Sequence, residues 1–175
     1  MTENLVLTFM ARDRTGLVEP VADVVADHGG NWLESRMAHL ANKFAGIARV
    51  EVPKARVDEV RQALEALEDD GIHILVDTSR EGKTPGEQLI EIELVGPDSP
   101  GILRDITGCI AAKGGSVEEL QTEIRDAPMA GGTLFHAKGR VWVPAGMDAD
   151  EMDRCLEEVA GTLMVDISVQ AVDPG

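Results

Sequence analysis

The chain carries one segment pattern twice, and this repeat limits its possible folds more than any other feature. Asp13-Arg14-Thr15-Gly16-Leu17 returns 85 residues later as Asp98-Ser99-Pro100-Gly101-Ile102. The same offset carries Leu17, Val18, Val21, Val24 and Val25 onto Ile102, Leu103, Ile106, Cys109 and Ile110, and His28-Gly29-Gly30 onto Lys113-Gly114-Gly115. Val50-Glu51-Val52-Pro53 returns as Val141-Trp142-Val143-Pro144 at an offset of 91, so the second copy gained six residues in between. A duplicated unit predicts two modules of about 80 residues each, not one larger core. Modules this small bury a modest core and gain by packing on one another. The seam between two such copies is the expected place for function.

The expected boundaries are residues 1–79 for the first module, 80–87 for a linker and 88–175 for the second. Gly82, Pro85 and Gly86 lie among charges in the linker, a composition that suits a connection. A formal net charge of -16 argues against direct nucleic-acid binding, which rests on Lys and Arg neutralising phosphates. No apolar run approaches the roughly 20 residues that span a bilayer, and Met1-Thr2-Glu3-Asn4 lacks the features of a secretory leader. The expected location is cytoplasmic, with no membrane partner. Cys109 and Cys155 fall in different predicted helices without a CxxC pair. They are read as two small buried apolar residues in a reducing compartment.

Periodicity gives each module the order β-α-β-β-α-β. In the first, residues 5–10 read as a strand, 17–28 as a helix stopped by Gly29-Gly30, 32–41 and 44–52 as strands around an Asn42-Lys43 turn, 57–67 as a helix and 72–78 as a strand. Pro20 conflicts with the first helix unless it falls in or just after its first turn. In the second module the strands are expected at 90–94, 117–125, 134–143 and 163–169, with an enlarged hairpin loop at 126–132. The helices are expected at 102–112 and around Met152, Leu156 and Val159. The predicted fold class is α+β: two ferredoxin-like units in tandem, each an antiparallel sheet with both helices on one face. The other face is expected to be wet or covered by a partner.

No GxSxG, HExxH, Walker A or GxGxxG pattern occurs. His28, His39, His73 and His136 lack ligand-like spacing, so no metal site and no cofactor is expected. An RNA-recognition module shares this strand order but stacks bases on aromatic side chains. Aromatics make up 3% of this chain and Tyr is absent, which leaves that alternative weak.

The remaining signal is the turn ahead of each first helix. Asp13-Arg14-Thr15-Gly16 and Asp98-Ser99-Pro100-Gly101 set small residues against a helix N-terminus. Free N–H groups and the positive end of the dipole there favour a carboxylate, and Asp13 could receive an ammonium group. The turn would then hold the zwitterion of an amino acid. The competing explanation is that Asp and Thr only cap the helix.

The pattern D-R-x-G-[LIV], a helix, then Gly-Asn opening a strand, present here as Asp13 to Leu17 with Gly30-Asn31, resembles the ACT domain. Asn31-Trp32-Leu33-Glu34-Ser35-Arg36-Met37-Ala38 ahead of Phe44 resembles the glycine cleavage system transcriptional repressor family, which consists of two tandem ACT domains and little else. The resemblance implies a ligand pocket where two modules meet side by side. It would be lined by Asp13, Arg14, Thr15, Gly16, Leu17 and Asn31, and in the second copy by Asp98, Ser99, Gly101, Ile102 and Ser116. Ser116 stands where the family has Asn, and Glu118-Glu119 follow closely, so the first copy is the favoured pocket. The implied function is a non-enzymatic sensor of a small amino acid, glycine or serine, that acts on a DNA-binding activator. The alternative is a regulatory subunit of an amino-acid metabolic enzyme. Edge-to-edge pairing of modules and a homodimer are expected, since open sheet edges invite pairing.

Overall fold

The structure, a computed structural model, describes residues 1–78, 88–127, 131–147 and 149–172. It divides into two compact units, residues 1–81 and 82–175. The linker expected at 80–87 lies outside the described residues.

Unit 1 runs β1 (Thr2–Arg12), α1 (Val18–Asp27), β2 (Asn31–Leu40), β3 (Lys43–Pro53), α2 (Val57–Glu65) and β4 (Ile72–Thr78), with short 3-10 turns on both sides of α2. Unit 2 runs β5 (Gln88–Pro97), α3 (Ile102–Ala112), β6 (Ser116–Asp126), β7 (Thr133–Val143), α4 (Ala149–Leu163) and β8 (Asp166–Val172). The sheets are ordered β2-β3-β1-β4 and β6-β7-β5-β8, all pairs antiparallel. The predicted double β-α-β-β-α-β fold is the one observed.

Strand alternation sets which face each sheet buries. Leu5, Leu7, Phe9 and Ala11 of β1 and Ala48, Val50 and Val52 of β3 point to the helices and pack with Val21, Val25, Val60 and Leu64. In unit 2 Ile90, Ile92, Leu94, Val141 and Val143 meet Ile106, Ile110, Met152 and Leu156 in the same way. Pro20 is the third residue of α1, inside the first turn, where no helical hydrogen bond is lost.

The repeated Gly-Gly pair performs two tasks in each copy. Gly29 and Gly114 have φ of +72° and +74°, the left-handed turn that closes a helix. The Gly30 and Gly115 N–H groups donate back to the Val25 and Ile110 carbonyls. A Cβ on Gly30 would lie 2.9 Å from Val25 O and Val52 Cγ1, and one on Gly115 2.8 Å from Ile110 Cγ2. The first glycine supplies a backbone angle and the second permits close approach of strand to helix. Both middle strands also carry an irregular register after their first residues, between Trp32 and Glu34 and between Val117 and Glu119. The irregularity falls at the matching place in the two copies.

Three sequence expectations are corrected. The β2–β3 turn is Ala41-Asn42, with φ of +47° and +61°, not Asn42-Lys43. Two consecutive left-handed residues suit the twist of a tight hairpin, and Lys43 already pairs with Arg12 and Leu40. The last strand does not start at Leu163, because α4 runs through it. Met164 then takes φ of +56° and the Val165 N–H closes onto the Ala160 carbonyl, a helix stop that lacks the usual glycine signal. Cys109 and Cys155 are not separate thiols. They form a disulfide between α3 and α4, with Cα atoms 6.4 Å apart, because both helices lie side by side on one face of the sheet. The hairpin expected to be enlarged does lengthen, spanning residues 127–132 between β6 and β7, although 128–130 lie outside the described residues.

Candidate functional site

In unit 1 the turn after β1 is held at three points. The Asp13 N–H donates to the Asn42 carbonyl at 3.1 Å, tying the turn to the hairpin tip. Asp13 Oδ2 lies 3.3 Å from His39 Nε2. Leu17 is buried in the core and anchors the start of α1, while Gly16 supplies a φ of +79°. Asp13, Arg14, Thr15 and Gly16 themselves are exposed. In unit 2 the Asp98 N–H donates to the Thr133 carbonyl at 3.1 Å, Gly101 has φ of +92° and Ile102 is buried.

Neither helix is capped by a side chain. The N-cap positions are Leu17 for α1 and Gly101 for α3, and neither makes a side-chain cap bond. The capping explanation for Asp13 and Thr15 therefore fails, and the first N–H groups of α1 remain available. The two turns differ in charge. The nearest atom to a Cβ built on Gly16 is Glu19 Oε2 at 3.8 Å; on Gly101 it is Arg104 Nη2 at 3.1 Å.

The register separates the remaining candidates. Asn31 pairs with Glu51, which pairs with Asn4 on β1. Asp13 follows Arg12 at the other end of that strand. Eight residues at roughly 3.3 Å each put the two ends about 26 Å apart. Ser116 and Asp98 are separated likewise, since Ser116 shares Trp142 with Leu89 while Asp98 follows Pro97. No single unit brings its own Asp13-type and Asn31-type residues together. A pocket that uses both must draw them from two modules.

Arg14 points elsewhere. Its Nη2 donates to the Asp70 carbonyl at 2.7 Å. With Arg12, Lys43 and His73 it lines a concavity of about 360 Å³ at the same end of unit 1. Sequence reading named Arg14 but missed Arg12, Lys43 and His73, because only strand register reveals that Arg12 and Lys43 are direct cross-strand neighbours.

The two open sheet faces also differ. In unit 1 Met10, Ile47 and Leu75 stand exposed at 47%, 55% and 69%. In unit 2 the corresponding face is a lattice of charges. Lys138 Nζ lies 3.0 Å from Glu91, Arg140 Nη2 2.7 Å from Glu119, and His136 presents its two nitrogens to Glu93 at 2.9 Å and Glu123 at 3.3 Å. The hydrogen bond from His136 holds the Glu93 carboxyl below its usual range; Arg125, then His136, do the same for Glu123. Among the described residues no three His, Cys, Asp or Glu side chains converge as metal ligands, and no helix is long and apolar enough to cross a membrane.

Residues 3–76 match the family model of the ACT domain. Over 98% of this chain and 99% of the other, the protein is similar to an unknown protein from Galdieria sulphuraria, with 31% identity and a TM-score of 0.88. It is also similar to a solved structure provisionally named a glycine cleavage system transcriptional repressor, with 18% identity, a TM-score of 0.71 and 98% of each chain covered. At that identity the likeness is one of fold. No curated protein matches the chain.

Proposed function

Because the chain belongs to the ACT domain family and repeats the module in tandem, we propose that it is a non-enzymatic regulator that senses a small amino acid, glycine or serine. The observation that carries this reading is the uncapped turn of unit 1. Exposed Asp13, whose carboxylate lies 3.3 Å from His39, belongs to the turn that leads into α1, a helix without a side-chain cap; the turn would offer a carboxylate to an ammonium group and a helix N-terminus to a carboxylate. Asn31 enters such a pocket only from another module, so ligand and module pairing are coupled. Binding would then shift the pairing, and coupling of this kind is typically about 1–3 kcal/mol. Unit 2 is the weaker site, with Ser116 in place of Asn and Glu118-Glu119 close behind it.

The output is a protein contact, since the net charge of -16 repels nucleic acid. The exposed Met10, Ile47 and Leu75 offer a surface for a partner. The name carried by the similar solved structure concerns transcription of the glycine cleavage system, and the family resemblance of Asn31 to Ala38 implies a DNA-binding activator as that partner, with the protein acting as a homodimer in the cytoplasm. There Cys109 and Cys155 would sit as an adjacent dithiol that bonds on oxidation. Calorimetric titration with glycine and serine tests the reading. Heat that vanishes in Asp13→Ala and in Asn31→Ala is expected. Absence of heat at millimolar ligand, or two variants that bind like the parent, would overturn it. Affinity capture from lysate separates the outputs: a metabolic enzyme retained in place of a transcription factor would redirect the proposal.

A further inference from the structure

The cationic concavity of unit 1 stands apart from the amino-acid reading and has its own chemistry. Arg12 and Lys43 are directly opposed across β1 and β3, on the open face of the sheet because Ala11 and Phe44 turn the other way into the core. Like charges placed opposite each other on a sheet destabilise it. Neither side chain has a partner among the described residues. Arg14 adds a third fixed positive charge, and its hydrogen bond to the Asp70 carbonyl at 2.7 Å orients it without neutralising it. His73 lies on the far side, paired with Met10 of β1, and its Nδ1 is 3.0 Å from Glu68. The Asp70 carboxylate, the one acid among the lining residues, leaves the three permanent cations in excess by two. A chain with twice as many acidic as basic residues, 32 against 16, had ample means to cancel them. The duplicated unit supplies the contrast. Pro97 and Ser99 stand at the offset positions of Arg12 and Arg14, and the cross-strand partner of Pro97 is Leu134. Unit 2 keeps the fold without the cations, so the fold does not require them.

We propose that the concavity formed by Arg12, Arg14, Lys43 and His73 binds a small phosphate-bearing metabolite. Its volume of about 360 Å³ falls in the range of small-molecule sites. Two guanidinium forks and an ammonium match the several oxygens and double charge of a phosphate better than a single carboxylate. Arg14 also belongs to the turn, so the test falls on Arg12 and Lys43, which belong to this site alone.

Titration of the full chain with pyrophosphate in low-chloride buffer reads the site, with citrate in parallel. Pyrophosphate is expected to bind and to raise the melting temperature. The Arg12→Gln/Lys43→Gln double variant is expected to weaken binding at least tenfold while melting no lower than the parent without ligand, because the repulsion is gone. Lys43→Gln alone gives a second reading, with a smaller loss. Lys138→Gln in unit 2 should leave the affinity unchanged. No pyrophosphate binding at millimolar concentration, a double variant that binds like the parent, or citrate bound as tightly as pyrophosphate would each overturn the assignment. None of these outcomes bears on glycine or serine binding.

Discussion

Units 1 and 2 share a strand order, a Gly-Gly helix stop and a bulge, yet present opposite surfaces. The open face of unit 1 exposes Met10, Ile47 and Leu75, while that of unit 2 is covered by ion pairs among Glu91, Glu93, Glu119, Glu123, His136, Lys138 and Arg140. The difference teaches which half of the sequence specifies the fold. Inward residues are conserved in kind between copies because they fill the same space against two helices. Outward residues answer only to solvent and partners, so they diverged. Unit 2 satisfies its own face, whereas unit 1 leaves apolar surface and unmatched cations available to others.

The strongest way to break this comparison is in the cores. Leu64 and Leu156 occupy equivalent buried positions in α2 and α4. Each Leu→Ala change should cost about 2–5 kcal/mol, and the two losses should be similar in chemical denaturation. A loss under about 1 kcal/mol at either position would mean that the cores are not equivalent. The disulfide should produce the next largest effect, and an asymmetric one. Cys109–Cys155 closes a loop of 46 residues, worth about 4 kcal/mol in the chain-entropy account. Val24 and Ala63 stand at the matching positions of unit 1. Reduction should raise amide hydrogen exchange in α3 and α4 and leave α1 and α2 unchanged; equal changes in both units would contradict a local staple.

Gly30→Ala and Gly115→Ala should each cost about 1–3 kcal/mol through overpacking, since the added methyl meets Val25 or Ile110. A Gly29→Ala variant fails for another reason, its positive φ; melting temperatures of the three variants would separate space from backbone angle.

The smallest effects belong to the open face of unit 2. Glu93 and Glu123 have folded-state pKa values held below the usual carboxylate range. A lowered folded pKa stabilises above the unfolded value and loses that stabilisation as pH falls through the folded value. Acidification below the usual carboxylate value of 4.5 should therefore loosen β5, β6 and β7 before β1 and β3, as read by hydrogen exchange at matched intrinsic rates. Arg140→Ala, which removes the contact with Glu119, should cost less than about 1 kcal/mol, as exposed ion pairs do.

Much of the molecule was legible in the chain alone. The repeat, the apolar periods and the Gly-Gly stops specified two β-α-β-β-α-β units, and α3 was delimited to its observed ends at Ile102 and Ala112. These signals are local, because propensity and alternation act over a few residues. Asp13, Gly16 and Leu17 were found because a turn, a left-handed glycine and a buried anchor leave residue-type signatures. What escaped was non-local or carried by an unexpected residue. Met164 ends α4 in a conformation that its side chain does not advertise, and Ala41 does the same in the hairpin.

The sequence by itself determined the fold, its duplication and the turn that opens each first helix, because these depend on hydrophobic period and on glycine. Only the tertiary structure decided that Cys109 meets Cys155, that Arg12 faces Lys43, and that Asp13 and Asn31 occupy opposite ends of one sheet. Those relations follow from strand register and helix packing, which bring together residues tens of positions apart, and no local pattern in the chain encodes such a distance.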